Sequence, residues 1–165
     1  LVLGAPYEEA REEIAVRVLE GALFDGAAPV LVTPPDPASI GTRPMIAWDG
    51  SLEAAMAVKG ALGFLESADS AEVVLIDPDT TAEDEPEPGA DLALMLSRHG
   101  ISVDLAHVPS GGHTIAEVLS RRLTETGADL LVMGAYGHSR LRESLIGGPT
   151  RDLLRALPGP VLLAH

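Results

Sequence analysis

The stretch Leu131-Val132-Met133-Gly134-Ala135-Tyr136-Gly137 is followed, after nine residues, by Gly147-Gly148-Pro149-Thr150 and then Arg151-Asp152-Leu153-Leu154-Arg155. It reads as a buried strand running into a glycine-rich turn and then a helix start, an arrangement able to present bare backbone N–H groups to a phosphate. Much the same strand opens the chain, as Leu1-Val2-Leu3-Gly4-Ala5-Pro6. A helical stretch over 11–24 follows, and Ala28-Pro29-Val30-Leu31-Val32 then matches Gly159-Pro160-Val161-Leu162-Leu163. The separation from Gly4 to Pro29 is 25 positions, and from Gly134 to Pro160 it is 26. The pattern is that of an internal repeat: the last strand–helix–strand of one copy in 1–33, a linker over 34–43 through Pro34-Pro35-Asp36-Pro37, and a complete second copy over 44–165.

Within the second copy, short apolar runs alternate with helix-period segments, the signature of successive βαβ units on a parallel sheet. Strands are expected at 44–48, 71–76, 102–107, 129–134 and 160–164. Helices fit between them at 52–67 with Ser51 as N-cap, 91–99 ended by Gly100, 114–126 ended by Gly127, and 150–157 before Pro158. Five strands and four helices make a doubly wound α/β domain. The two copies differ at the turn, because Tyr7 stands at the position of Gly137 and Arg17 at that of Gly147. Only the second copy therefore carries a candidate phosphate site.

Composition narrows the class. The 165 residues suffice for one ordinary domain, and 46% hydrophobic residues with a mean hydropathy of +0.21 give ample material for a core. Aromatic residues make up only 3%, so small aliphatic side chains are expected inside. The formal net charge of −14 repels polyanions and makes nucleic acid and anionic membranes poor partners. A small anionic ligand is still accommodated, since Arg140, Arg142, Arg151 and Arg155 surround the glycine loop against only Glu143 and Asp152. The absence of cysteine removes disulfides, thiol catalysis and thiolate metal sites, and fits a cytoplasmic protein. No run approaches the roughly 18 to 20 apolar residues of a membrane span. Because Leu1 falls inside an expected strand, the chain is expected to be part of a longer one. Residues 77–91 hold seven acidic side chains, no basic one, and Pro78, Pro86 and Pro88, the composition of a solvated, mobile loop.

In a doubly wound sheet, ligands collect beyond the carboxyl ends of strands where the strand order reverses. If the first strand of the complete copy neighbours the fourth, Asp49 at the end of Ile46-Ala47-Trp48-Asp49-Gly50-Ser51 faces Gly134 and Gly137 across that crevice. Its carboxylate can then accept hydrogen bonds from a ribose or base while loop amides hold phosphate. Each residue also has a plainer reading: Gly134 and Gly137 as a tight turn needing positive φ, Asp49 as the cap of the following helix, and Trp48 as a packing residue beside the crevice.

With these residues in place the chain resembles the universal stress protein family, whose nucleotide-binding members carry G-x2-G-x9-G-(S/T) after the fourth strand and D-x-S after the first. The resemblance covers essentially the whole chain, with 44–165 similar to a full domain and 1–33 to the tail of a preceding one. It implies a five-stranded parallel fold of strand order 3-2-1-4-5, like that of adenine-nucleotide alpha-hydrolases. It also implies pairing of domains through their last strands, within the chain or in a homodimer, and in some members bound ATP with little or no hydrolysis. Mg2+ would accompany the nucleotide. Carried over by motif, Asp49 contacts adenine or ribose, Ile76 lies by the base, and Gly134, Gly137, Gly147, Gly148 and Thr150 line the phosphates. Arg140 or Arg151 adds charge from the rim. The chain departs from the motif at Gly148, where the family has Ser or Thr, and Pro149 removes one N–H donor. Thr150 is left either to substitute or to cap the next helix.

Other residues point to less. His107, His113, His138 and His165 do not fall at metal-ligand spacings, and no metal site is expected. Ser110-Gly111-Gly112-His113 is glycine-rich but follows the third strand and lacks a Walker lysine. No Ser–His–Asp or paired-carboxylate set can be assembled, so no catalytic residue is assigned. Three readings stay open: a stress-associated nucleotide-binding or sensing protein, a ligand-free dimerising interaction module, and a phosphoryl-transfer or receiver-like domain using Asp49. The last lacks both a neighbouring acidic pair and a lysine near the last strand.

Overall fold

Strict alternation inside the strands decides the layering. The structure is a computed structural model, and it describes residues 1–4, 17–78, 87–135 and 159–165. Its strands are β1 (Val2–Gly4), β2 (Val30–Thr33), β3 (Pro44–Ala47), β4 (Ala71–Ile76), β5 (Val103–Val108), β6 (Leu130–Gly134) and β7 (Val161–Ala164). Ile46, Val73, Val132 and Leu162 point to one face, and Met45, Val74, Leu131 and Leu163 to the other. Both faces are buried, as a parallel sheet covered by crossover helices requires. Helices α1 (Leu52–Leu65) and α2 (Ala90–Arg98) cover the first face through Ala57, Leu65, Leu92 and Leu96. Helix α3 (Ile115–Thr126) and the helical residues 17–25, which end in a π-helical turn at Gly21–Asp25, cover the second.

The strands form one sheet in the order β1-β2-β7-β6-β3-β4-β5. The portion β5-β4-β3-β6-β7 is the 3-2-1-4-5 order expected for residues 44–165, all parallel. The sheet does not stop at five strands. β2 lies antiparallel beside β7, pairing Leu31 with Leu162, and β1 runs parallel to β2 on its outer side. β1 and β2 thus extend the same sheet.

Caps and turns fix where the elements begin and end. Ser51 accepts the Ala54 N–H at the start of α1. Thr114 and Glu117 form a reciprocal capping box on α3, which Gly127 closes at φ 66°, the left-handed geometry glycine adopts without strain. The linker is pinned to the start of β6 by Asp129, which accepts from the N–H groups of Gly41 (3.1 Å), Thr42 (3.0 Å) and Arg43 (2.8 Å). Across the second face, Arg122 of α3 makes a two-pronged ion pair with Glu72 of β4, whose hydrogen bonds first, and then its charge, raise the guanidinium pKa further against the opposing effect of burial.

Candidate functional site

Strand β3 pairs with β4 on one side and with β6 on the other, so the sheet order reverses between β3 and β6. Beyond their carboxyl ends opens a cleft of about 430 Å³, within the range of small-molecule sites. Asp49, Ile76 and Gly134 all line it, so the structure brings together three of the residues singled out in the sequence. Gly137, Arg140, Gly147, Gly148 and Thr150 lie outside the described residues, as do Tyr7, His138, the helix expected at 150–157, and residues 79–86 of the acidic stretch.

The strand-to-helix turn after β3 builds the polar end of the cleft. Asp49 Oδ1 accepts from both the N–H (3.0 Å) and the hydroxyl (2.5 Å) of Ser51. The capping role considered for Asp49 belongs to Ser51, and Asp49 braces the cap from the strand side. Gly50, at φ 76°, supplies the left-handed step between them.

Gly134 corrects an expectation. Its φ is not positive; what excludes a side chain is α1, since a Cβ would lie 2.6 Å from the Ala54 nitrogen and 2.8 Å from the Glu53 carbonyl carbon. The glycine lets the first turn of α1 rest on the end of β6, which places the Asp49–Ser51 turn beside it.

Apolar side chains make most of the remaining wall, among them Trp48, Val74, Ile76, Met133 and, from α3, Ile115 and Leu119. Trp48 also packs on the core beside the cleft. No cationic side chain is found among the described lining residues. The sequence reading missed Asp77, Pro78, Pro88 and Gly89, which also line the cleft although their composition suggested solvated loop. The available signal was position: Asp77 directly follows β4, and Asp49 comes two residues after β3. Asp77 adopts φ 46°, and its Oδ1 accepts the Ser110 N–H at 3.0 Å, tying the exit of β4 to the glycine turn after β5. At the start of α3 beyond that turn, the capping box already takes the Thr114 and Glu117 N–H groups. Among the described residues, no group of three or more His, Cys, Asp or Glu is placed to hold a metal. No helix among them is long and apolar enough to cross a membrane.

Comparison with known proteins agrees with this geometry. The model of the universal stress protein family matches residues 42–165. Over 137 residues, 81% of this chain and 46% of the relative, the sequence is 32% identical to a universal stress protein of Synechocystis sp.. A solved universal stress protein from Archaeoglobus fulgidus DSM 4304 aligns at a TM-score of 0.70 and 20% identity, over 99% of this chain and 59% of that one. Another, solved in complex with cAMP, aligns at 0.55 and 17% identity over 77% of this chain and 98% of that one. The two structural likenesses carry the fold. The chain spans about half the length of the Synechocystis relative, 46% of it.

Proposed function

The chain belongs to the universal stress protein family, and from that premise we propose that it is a cytoplasmic stress-response protein that binds or senses ATP at the β3–β6 cleft without strong catalytic activity. The observation that carries the reading is the meeting of Asp49, Ile76 and Gly134 around one apolar cleft at the switch point. Its described wall is suited to a nucleoside: an apolar slot for a base, and carboxylates that accept from ribose hydroxyls or an exocyclic amine. Phosphates, with accompanying Mg2+, fall to the segment after β6, where Gly137, Gly147, Gly148, Thr150 and Arg140 supply amides, hydroxyl and charge. A similarly folded protein solved with cAMP supports a nucleotide as the ligand class.

We assign residues 1–33 to the end of a degenerate preceding repeat, 34–43 to a linker, and 44–165 to a complete domain. In support, the alignment with the longer Archaeoglobus structure takes in 99% of this chain, and β1–β2 repeats the register of β6–β7.

Calorimetric titration of ATP tests the site. Asp49→Ala should weaken binding by about 1 to 3 kcal/mol, the usual cost of a lost charge-assisted hydrogen bond. Gly137→Val should abolish it, because a β-branched side chain blocks close approach. Gly148→Ser restores the family hydroxyl and should tighten it. Unchanged affinity in Asp49→Ala and Gly137→Val would place the site elsewhere. The Gly148-Pro149 departure favours one second reading, a ligand-free module that pairs through its last strands; absence of ATP binding in the wild type would select it.

A further inference from the structure

We propose that His165 is a positioning residue for the nucleotide cleft, holding the exit of β6 in place just beyond Gly134. The inference rests on the ligand reading above, but its geometry stands apart from any ligand.

Gly134 lines the cleft and ends β6. The next residue, Ala135, is fully buried, so both of its backbone polar groups need partners. Its N–H donates to the Ala164 carbonyl at 2.8 Å, and its carbonyl lies 3.0 Å from His165 Nδ1. Since a carbonyl only accepts, Nδ1 carries the proton and donates. The imidazole thereby adds one rung to the β6–β7 ladder past its last backbone pairing, Gly134 with Ala164. The ring also packs against Phe24, whose centroid lies 4.5 Å away at an interplanar angle of 69°, the edge-to-face arrangement aromatic rings favour. A residue before β2 therefore touches the group that holds the exit of β6.

The chain contains its own comparison. Gly4 pairs with Thr33 as Gly134 pairs with Ala164, so the counterpart of His165 is Pro34, which has neither a side-chain donor nor an N–H. The pair of strands without the donor is the one that has Tyr7 and Arg17 in place of the loop glycines. Donor and glycines occur together, and are absent together.

Two substitutions separate the donor from the ring. His165→Phe keeps an aromatic ring against Phe24 and removes the donor; His165→Asn keeps an N–H donor near the Nδ1 position and removes the ring. In ligand-free protein, amide exchange at Ala135 followed by NMR should accelerate about tenfold or more in His165→Phe and stay near wild type in His165→Asn, with Met45 and Val132 in the sheet centre unchanged. ATP affinity by calorimetry should fall about tenfold in His165→Phe, the effect of one unsatisfied buried carbonyl, and by less than about threefold in His165→Asn. Unchanged Ala135 exchange in His165→Phe overturns the proposal. So does faster exchange with unaltered ATP affinity, which would make the hydrogen bond structural only, and so does equal loss in both variants. If wild-type protein binds no ATP, the ligand reading fails, and Ala135 exchange still decides whether His165 holds the exit of β6.

Discussion

A Cβ on Gly134 would have to share space with the backbone of Glu53 and Ala54, at 2.6–2.8 Å, so this position is ruled by the approach of a helix. Backbone atoms cannot rotate away as a side chain can, and Gly134→Ala should push α1 off β6 at a cost of about 1 to 3 kcal/mol, the usual range for overpacking. Urea unfolding measures that cost, and a variant as stable as wild type would show that α1 slides without penalty. The sequence marked this glycine, but its plainer reading as a positive-φ turn does not hold, because a run of residues reports turn chemistry but not which distant segment will lie on top. Asp49 was more legible. Its place at a strand end, two residues before a helix-capping serine, is a local pattern, and the structure assigns the cap to Ser51 and the cleft wall to Asp49.

Between elements, the junction that joins the linker to the sheet rests on Asp129. Burial pushes its carboxyl pKa up, but the Ser39 hydroxyl and the N–H groups of Arg43 and Thr42 outweigh this and hold it below the ordinary aspartate value. A depressed pKa stabilises the fold above the unfolded-chain value, near 3.9, and that contribution is lost as pH falls through the folded value. Asp129→Ala should therefore destabilise by about 1 to 2 kcal/mol at pH 7, discounted for partial exposure from the usual value for hydrogen bonds to a charge. The difference from wild type should shrink as the pH of the melt is lowered below about 4; a constant difference would assign the effect to packing. None of this was readable in advance, since the backbone partners Gly41, Thr42 and Arg43 sit 86 to 88 residues away in the chain. Helix α1 shows the same limit. Gly60 in its interior looks like a site where alanine would gain about 1 kcal/mol of helix propensity, yet a Cβ there would meet the Pro29 ring at 2.8 Å. Thermal unfolding of Gly60→Ala should show no gain, and a raised midpoint would mean that Pro29 yields.

On the scale of the molecule, the strand order within residues 44–165 follows from features a sequence carries: apolar runs buried on both faces, capped helices between them, and crossovers that make neighbouring strands parallel. What it could not carry was whether 1–33 would fold back, since residues 30–32 can pair with 161–163 in the same chain or with another copy equally well. In the structure Val30, Leu31 and Val32 lie antiparallel to Leu163, Leu162 and Val161, and the side chains of Leu31 and Leu162 enter the same core. The edge of β7 is thereby covered, and the sheet edge passes to β1, whose three residues make the kind of short edge that limits pairing between molecules. The whole chain should run as one copy by light scattering at micromolar concentration, and a chain lacking 1–33 should pair or precipitate through bare β7. The truncated chain keeps a formal net charge of −10, which opposes that association, so raising salt to 0.5 M, where screening acts within roughly 4 to 5 Å, should strengthen it in the truncated chain and leave the whole chain unchanged. A truncated chain that stays single at high salt would show that the apolar edge of β7 does not drive self-association, and that β2 serves the fold by packing alone.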